Sequence, residues 1–200
     1  MRIGIDIDNT LTDVKDKLND AAYNYAISLG KDIKKGNNID EDTNNNGKTY
    51  QNSFRFSDDE LKYFLKDIQE SIINAAIPRN NAKEVIDKLK ELGHEIIIVT
   101  ARDFEFHDDP YKLSKDWLNN NNIYFDKLIV NAREKASVCK EENIDIFIDD
   151  QLQNCLNISN IGIKAIMLTD KIINNNNIET LKSWNAIFDY IKKTIKNDKK

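Results

Sequence analysis

The chain has 200 residues, 40% of them hydrophobic and 32% charged, with a formal net charge of −5. That length buries roughly two thirds of its unfolded surface in one domain, with or without a modest insertion, so a core needs neither disulfides nor a structural metal. The acidic balance disfavours duplex DNA and anionic membranes as main partners, since both select basic faces. The longest apolar runs, such as residues 96–99, are strand-sized and far short of the ~20 residues of a membrane span. Met1-Arg2 leads straight into Ile3-Gly4-Ile5-Asp6 without a signal-peptide pattern, and the two cysteines, Cys139 and Cys155, read as packed free thiols. A cytoplasmic protein is expected, with no membrane and no polymeric nucleic acid as partner.

Residues 2–7 place Ile3, Ile5 and Ile7 in alternation and finish in Asp6 and Asp8, which predicts a short strand ending in carboxylates. Residues 12–29 carry Leu18, Ala21, Ala22, Tyr25, Ala26 and Leu29 at helical spacing, and Gly30 suits the stop. Residues 31–52 are polar and rich in Asn and Gly, and read as loop. Ser57-Asp58-Asp59-Glu60 has the capping-box pattern and opens a helix to about residue 76, with a stripe of Leu61, Phe64, Leu65, Ile68 and Ile72. After Pro78, residues 82–92 form an amphipathic helix closed by Gly93. Residues 95–100 are a nearly continuous apolar strand, as in a sheet covered on both faces. A helix is predicted over 111–118. Strands over 127–130, 145–148 and 164–168 then alternate with helices over 134–142 and 151–158, and a last helix covers 178–195. The asparagine runs at 119–122 and 174–177 read as loop filler.

Strand–helix alternation from residue 80 onward predicts an α/β fold with a parallel, Rossmann-like sheet flanked by helices. Roughly ninety residues separate the first strand from the second, far more than a crossover of a dozen or so needs. The excess, residues 14–78, is read as a mostly helical cap inserted into a core made of 1–13 and 79–200.

In open α/β sheets ligands bind beyond the carboxyl ends of the strands. The first strand delivers Asp6 and Asp8 there, the second Thr100 and then Ala101-Arg102, and the fourth Asp149-Asp150, while Lys135 opens the helix after the third. Each carboxylate pair at 4 Å repels by about 4 kcal/mol at an effective dielectric near 20. A hard divalent cation relieves this, and oxygen-only ligands favour Mg²⁺, bound jointly with a phosphate. Lys135 and the Thr100 hydroxyl supply the neutralisation and orientation a phosphoryl group needs.

Asp6-Ile7-Asp8-Asn9-Thr10 resembles the first motif of the haloacid dehalogenase superfamily in its phosphatase branch. Ile97-Ile98-Val99-Thr100 resembles the second motif, Lys135 the third and Ile148-Asp149-Asp150 the fourth. Ile98-Val99-Thr100-Ala101-Arg102, Trp117-Leu118 and Arg133-Glu134-Lys135 further resemble the cytosolic and mitochondrial type of 5′(3′)-deoxyribonucleotidase and its bacterial relatives. The resemblance implies a Mg²⁺-dependent phosphomonoesterase, with a nucleoside monophosphate as the preferred substrate and a sugar phosphate or other small phosphometabolite as the alternative. Asp6 would be the nucleophile that forms an aspartyl-phosphate, and Asp8 the general acid/base. Thr100, Ala101 and Lys135 would bind the phosphoryl group. The metal ligands would be the Asp6 carboxylate, the Asp8 backbone carbonyl and one or both of Asp149 and Asp150.

Several residues carry two readings. Lys140 competes with Lys135 for the third motif. Arg102 is a substrate contact or a surface salt bridge. Tyr50, Phe54, Phe56, Tyr63 and Phe64 stack on a base or pack a core, and His107 is a loop residue near the site that touches substrate or is incidental. A receiver-like phosphorylation switch without turnover uses a similar Asp, Thr and Lys set, but the chain is long for one and a second acidic pair is unexpected there. Homodimerisation stays open.

Overall fold

The computed structural model describes residues 1–34, 46–171, 173, 175 and 177–197. Six strands, β1 (Arg2–Ile5), β2 (Glu95–Val99), β3 (Lys127–Ile129), β4 (Ile146–Asp149), β5 (Lys164–Leu168) and β6 (Glu179–Leu181), form one sheet of order β3-β2-β1-β4-β5-β6. Every pairing is parallel. The unbroken apolar runs have the expected cause: both faces are covered. Ile3, Ile5, Ile96, Ile98, Ile146 and Ile148 enter one core, and Ile97, Val99 and Phe147 enter the other, all fully buried. Gly4 pairs with Phe147 in the β1–β4 register, and a Cβ there would lie 2.5 Å from the Phe147 ring. The missing side chain is what lets that ring lie across β1.

Helices α5 (Ala82–Glu91), α6 (Pro110–Asn120) and α9 (Trp184–Asn197) cover the first face. Helices α7 (Lys135–Glu141) and α8 (Leu152–Asn160) cover the second, where Cys139 and Cys155 are buried free thiols. Between β1 and α5 in sequence lie α1 (Lys15–Ser28), α2 (Asn46–Phe54), α3 (Asp58–Tyr63), a π-helical stretch Phe64–Gln69 and α4 (Glu70–Asn74). Ser57 caps α3 by the full reciprocal capping box with Glu60. Tyr25, Tyr50, Phe54, Phe56 and Phe64 pack ring against ring, with centroids 4.9–6.3 Å apart. Of the five aromatics given two readings, Tyr50, Phe54, Phe56 and Phe64 are therefore core, and only Tyr63 is exposed. The two chain segments leading in and out of these helices meet at the Thr12–Pro78 bridge. Arg79 Nε donates there to the carbonyls of Asn9 and Thr12, both at 2.9 Å.

The structure departs from the periodicity reading in a few places. Residues 46–54 are helical where loop was expected, because Tyr50 and Phe54 stand one turn apart and bury against Phe56 and Phe64. Residues 35–45 of that loop expectation lie outside the described residues. The last helix starts at Trp184 rather than near residue 178, because Glu179–Leu181 extends the sheet edge as β6 beside β5. β1 stops at Ile5, since the Ile7 carbonyl turns away to accept from the N–H groups of Leu11 and Thr12. Asn119 and Asn120 close α6 instead of lying in a loop. No helix among the described residues is long and apolar enough to cross a membrane.

Candidate active site

The chain runs from β1 outward through β2 to β3 and then returns to lay β4 on the other side of β1, so the strand order reverses between β1 and β4. Asp6 leaves β1 at that crevice, its N–H donating to the Ile148 carbonyl (3.0 Å), and Asp149 ends β4 beside it. Lys135, the first residue of α7, reaches in from the end of β3. Its Nζ donates to Asp6 Oδ1 at 2.6 Å and to Asp149 Oδ2 at 2.7 Å, and its side chain is only 6% exposed. Lys140 is exposed on the same helix, which assigns the third motif to Lys135. Asp149 is fully engaged: Oδ1 accepts from the Gln151 N–H (2.8 Å), and Oδ2 also accepts from Asn154 Nδ2 (3.0 Å). Asp150 Oδ1 accepts from the Thr10 hydroxyl at 3.3 Å. Asp6, Asp149 and Asp150 bring carboxylate oxygens within 4.8 Å of one another.

Asp8 stands opposite, gripped by Arg102 through Nε at 2.9 Å and Nη2 at 2.7 Å. The Arg102 side chain is 3% exposed and also donates from Nη1 to the buried Ser114 hydroxyl on α6 (3.4 Å). The surface-salt-bridge reading of Arg102 is thereby corrected: the guanidinium is buried, and its acidic partner is the second aspartate of the first motif. Thr100 is buried at the tip of β2, its hydroxyl accepting from the Arg102 N–H (3.3 Å), with Ala101 half-buried between them. Beyond, the loop is pinned twice more. Arg133 binds Asp103 (2.6 Å) and Glu105. At its far end His107 Nδ1 donates to Glu70 Oε2 of α4 (3.2 Å), and Lys66 Nζ bonds Asp108 Oδ1 (2.8 Å).

Burial and the neighbouring Asp149 and Asp8 charges overcome Lys135 and push the Asp6 carboxyl up to about 7. Burial and the charges of Asp149 and Asp6 likewise push Asp150 far above the usual carboxylate range. At Asp8 burial acts upward too, but the Arg102 guanidinium outweighs it and holds the carboxyl below its ordinary value. Burial works against the Lys135 ammonium, and Asp149 and Asp6 more than restore it, so it stays charged. Fully ionised, the four carboxylates would outnumber the two cations by two charges, which is why Asp6 and Asp150 are pushed toward protonation. An all-oxygen donor set with that deficit fits a hard divalent cation.

Sequence reading brought together Asp6, Asp8, Thr100, Lys135, Asp149 and Asp150, and the fold puts all six at this crevice. It did not find the groups that hold them in place. Asn154 braces Asp149 from the first turns of α8, Ser114 backs Arg102, and Arg79 secures the loop that carries Asp8 through the Asn9 carbonyl. An Asn shortly after the acidic pair was the one available signal. Arg79 acts on backbone carbonyls, which leave no trace in residue types.

No family model matches the chain. It is 27% identical to YqfW of Bacillus subtilis, which carries the provisional name of nucleotidase, across 92% of this chain and 90% of that one. It is 31% identical to nucleotidase CA_C3379 of Clostridium acetobutylicum over 55% of this chain and 57% of that one. Among solved structures, a family IA, variant 3 haloacid dehalogenase hydrolase of Entamoeba histolytica superposes with a TM-score of 0.70 at 13% identity, covering 96% of this chain and 99% of that one. A predicted phosphatase of Clostridium acetobutylicum gives 0.68 at 14% identity, over 96% and 98%. The fold is that of haloacid dehalogenase superfamily hydrolases, and by its likeness to the nucleotidases the chain is a hydrolase of phosphoric monoesters.

Proposed function

We propose that this phosphatase of the haloacid dehalogenase type hydrolyses nucleoside monophosphates through an aspartyl-phosphate on Asp6, with Mg²⁺ as cofactor and Asp8 as general acid/base, in the cytoplasm. The observation that carries the reading is the division of labour between the two aspartates of the first motif. Lys135 occupies Asp6 Oδ1, which leaves Oδ2 for attack, while Arg102 holds Asp8 on a separate side of the crevice. Asp6 Oδ2 forms the bond to phosphorus as the ester P–O bond breaks, and Asp8 protonates the departing alkoxide, which requires that substrate binds with Asp8 in its protonated form although Arg102 favours the carboxylate in the free chain. Asp8 then takes a proton from water, whose oxygen attacks the phosphorus, returning Asp6 and releasing inorganic phosphate. Lys135 neutralises Asp6 and the phosphoryl oxygens through both steps, and Thr100 and the Ala101 N–H bind the same oxygens.

A Mg²⁺ ion held by Asp6, Asp150 and the Asp8 carbonyl would supply further charge neutralisation to the phosphoryl group. Asp150 is assigned as the direct ligand because both Asp149 oxygens are already engaged by Lys135, Gln151 and Asn154. Asp149 then orients Lys135. Residues 14–78 are taken as the cap that sets leaving-group fit. The nucleotide preference draws on the names of the two bacterial relatives. The test is phosphate release by purified protein from ribo- and deoxynucleoside monophosphates beside sugar phosphates, with Mg²⁺ and with chelator. Mg²⁺-dependent release favouring nucleotides is expected, with Asp6→Asn at least 10³-fold slower and still folded. Preference for sugar phosphates overturns the substrate, and near-wild-type turnover by Asp6→Asn overturns the nucleophile.

A further inference from the structure

We infer that His107 is a substrate contact, accepting a hydrogen bond from a hydroxyl of the leaving group through Nε2, and that Glu70 of the cap helix is the positioning residue that orients it. The proposal rests on the phosphatase reading above and extends it to residues outside the four motifs. His107 ends the loop that begins at Arg102, and its N–H closes the turn by donating to the Asp103 carbonyl (3.1 Å). Its side chain is 6% exposed, and Nδ1 is committed to Glu70 at 3.2 Å. A carboxylate accepting from Nδ1–H selects the tautomer whose Nε2 bears the lone pair, so Nε2 seeks a donor.

Among the described residues Nε2 has no hydrogen-bond partner. Nor is that atom sealed away. The side-chain nitrogens and oxygens fully buried without a partner among the described residues are Arg2 Nε, Asn9 Oδ1, Asn19 Oδ1 and, at the other histidine, His94 Nε2. With Nδ1 bonded to Glu70 of α4, Nε2 is taken as the acceptor for a ligand held in a cleft between α4 and the loop after β2. The ring also lies near enough to Asp8 for the two side chains to interact electrostatically. Because Asp8 is the group proposed to protonate the leaving oxygen, what stands in that cleft is the leaving-group half of the substrate. Its chemistry is that of a hydroxylated alcohol such as a sugar, matched by an acceptor that exists in this orientation only while Glu70 is docked.

The experiment compares kcat/KM for a nucleoside monophosphate with that for p-nitrophenyl phosphate, whose leaving group has no spare hydroxyl, in wild type, His107→Ala, His107→Gln and Glu70→Gln. The selectivity ratio is expected to fall at least tenfold in His107→Ala, to recover partly in His107→Gln, whose amide oxygen can accept, and to fall several-fold in Glu70→Gln. Thermal melting shows whether each variant is folded. A ratio unchanged in folded variants, or equal losses on both substrates, overturns the proposal, since a merely structural tie would affect both alike. Absence of phosphate release from any substrate by the wild type would instead overturn the phosphatase reading itself.

Discussion

Lys135 stands between Asp6 and Asp149 with almost no access to water, and its charge is what allows two aspartates to share the crevice between β1 and β4. Removing one member of a buried ion-paired set leaves uncompensated charge and costs about 3–5 kcal/mol, less whatever the carboxylates recover by protonation. Lys135→Met is therefore expected to lose about 3 kcal/mol in urea unfolding at pH 8, and to lose turnover by 10³-fold or more. A variant as stable as wild type at pH 8 would mean that the ammonium is not what holds the carboxylates together. Arg102 is a different case. Sequence spacing placed it near the site, but its bidentate grip on Asp8 required loop 101–109 to fold back under α6, where Ser114 waits.

At the scale of elements, close packing of β1 against β4 depends on an absent side chain. A Cβ at Gly4 would lie 2.5 Å from Phe147 Cδ2 and 2.7 Å from Ile144 Cδ1, and both neighbours are buried in the second core. Overpacking of that kind costs about 1–3 kcal/mol. Gly4→Ala should lower the thermal midpoint by several degrees and, because Asp6 is two residues on, should also reduce turnover. An unchanged melting curve would show that Phe147 can rotate away freely. The helices between β1 and β2 follow another logic. Polar composition concealed α2, since only Tyr50 and Phe54 report its buried side, whereas the reciprocal Ser57–Glu60 cap announced α3 in the sequence.

For the molecule as a whole, the crevice couples folding to protons and, through the proposed Mg²⁺ site, to metal. The Asp6 carboxyl sits at about 7 in the folded, metal-free chain against 3.8 as its ordinary value. A raised folded value means that the folded state takes up a proton the unfolded chain does not, so stability rises as pH falls through 7. With chelator present, the thermal midpoint is expected to rise from pH 8 to pH 6.5. His94, held down by burial, opposes this only below its ordinary 6.5. Millimolar Mg²⁺ should raise the midpoint at pH 8 and flatten the slope, because the ion binds the deprotonated site. A midpoint flat with pH in chelator and indifferent to Mg²⁺ would contradict the assignment of a divalent-cation site here.

Much of this protein is legible without coordinates. Unbroken runs such as Ile96-Ile97-Ile98-Val99 announce strands buried on both faces, and the residue types at successive strand ends already name Asp6, Asp8, Thr100, Lys135 and Asp149-Asp150 as one constellation. These are local signals, since strand periodicity and the position of a residue at a strand's end are properties of consecutive residues. Tertiary structure alone decided which carboxylate each cation meets, that Arg102 is buried on Asp8, that Asn154 saturates Asp149, and that Glu70 of α4 engages one nitrogen of His107. Apart from Asn154 and Asp149, which are five residues apart, those pairings join side chains far apart in sequence across a topology that returns β4 to the flank of β1. Their geometry exists only once the sheet is assembled and water has been removed from the crevice.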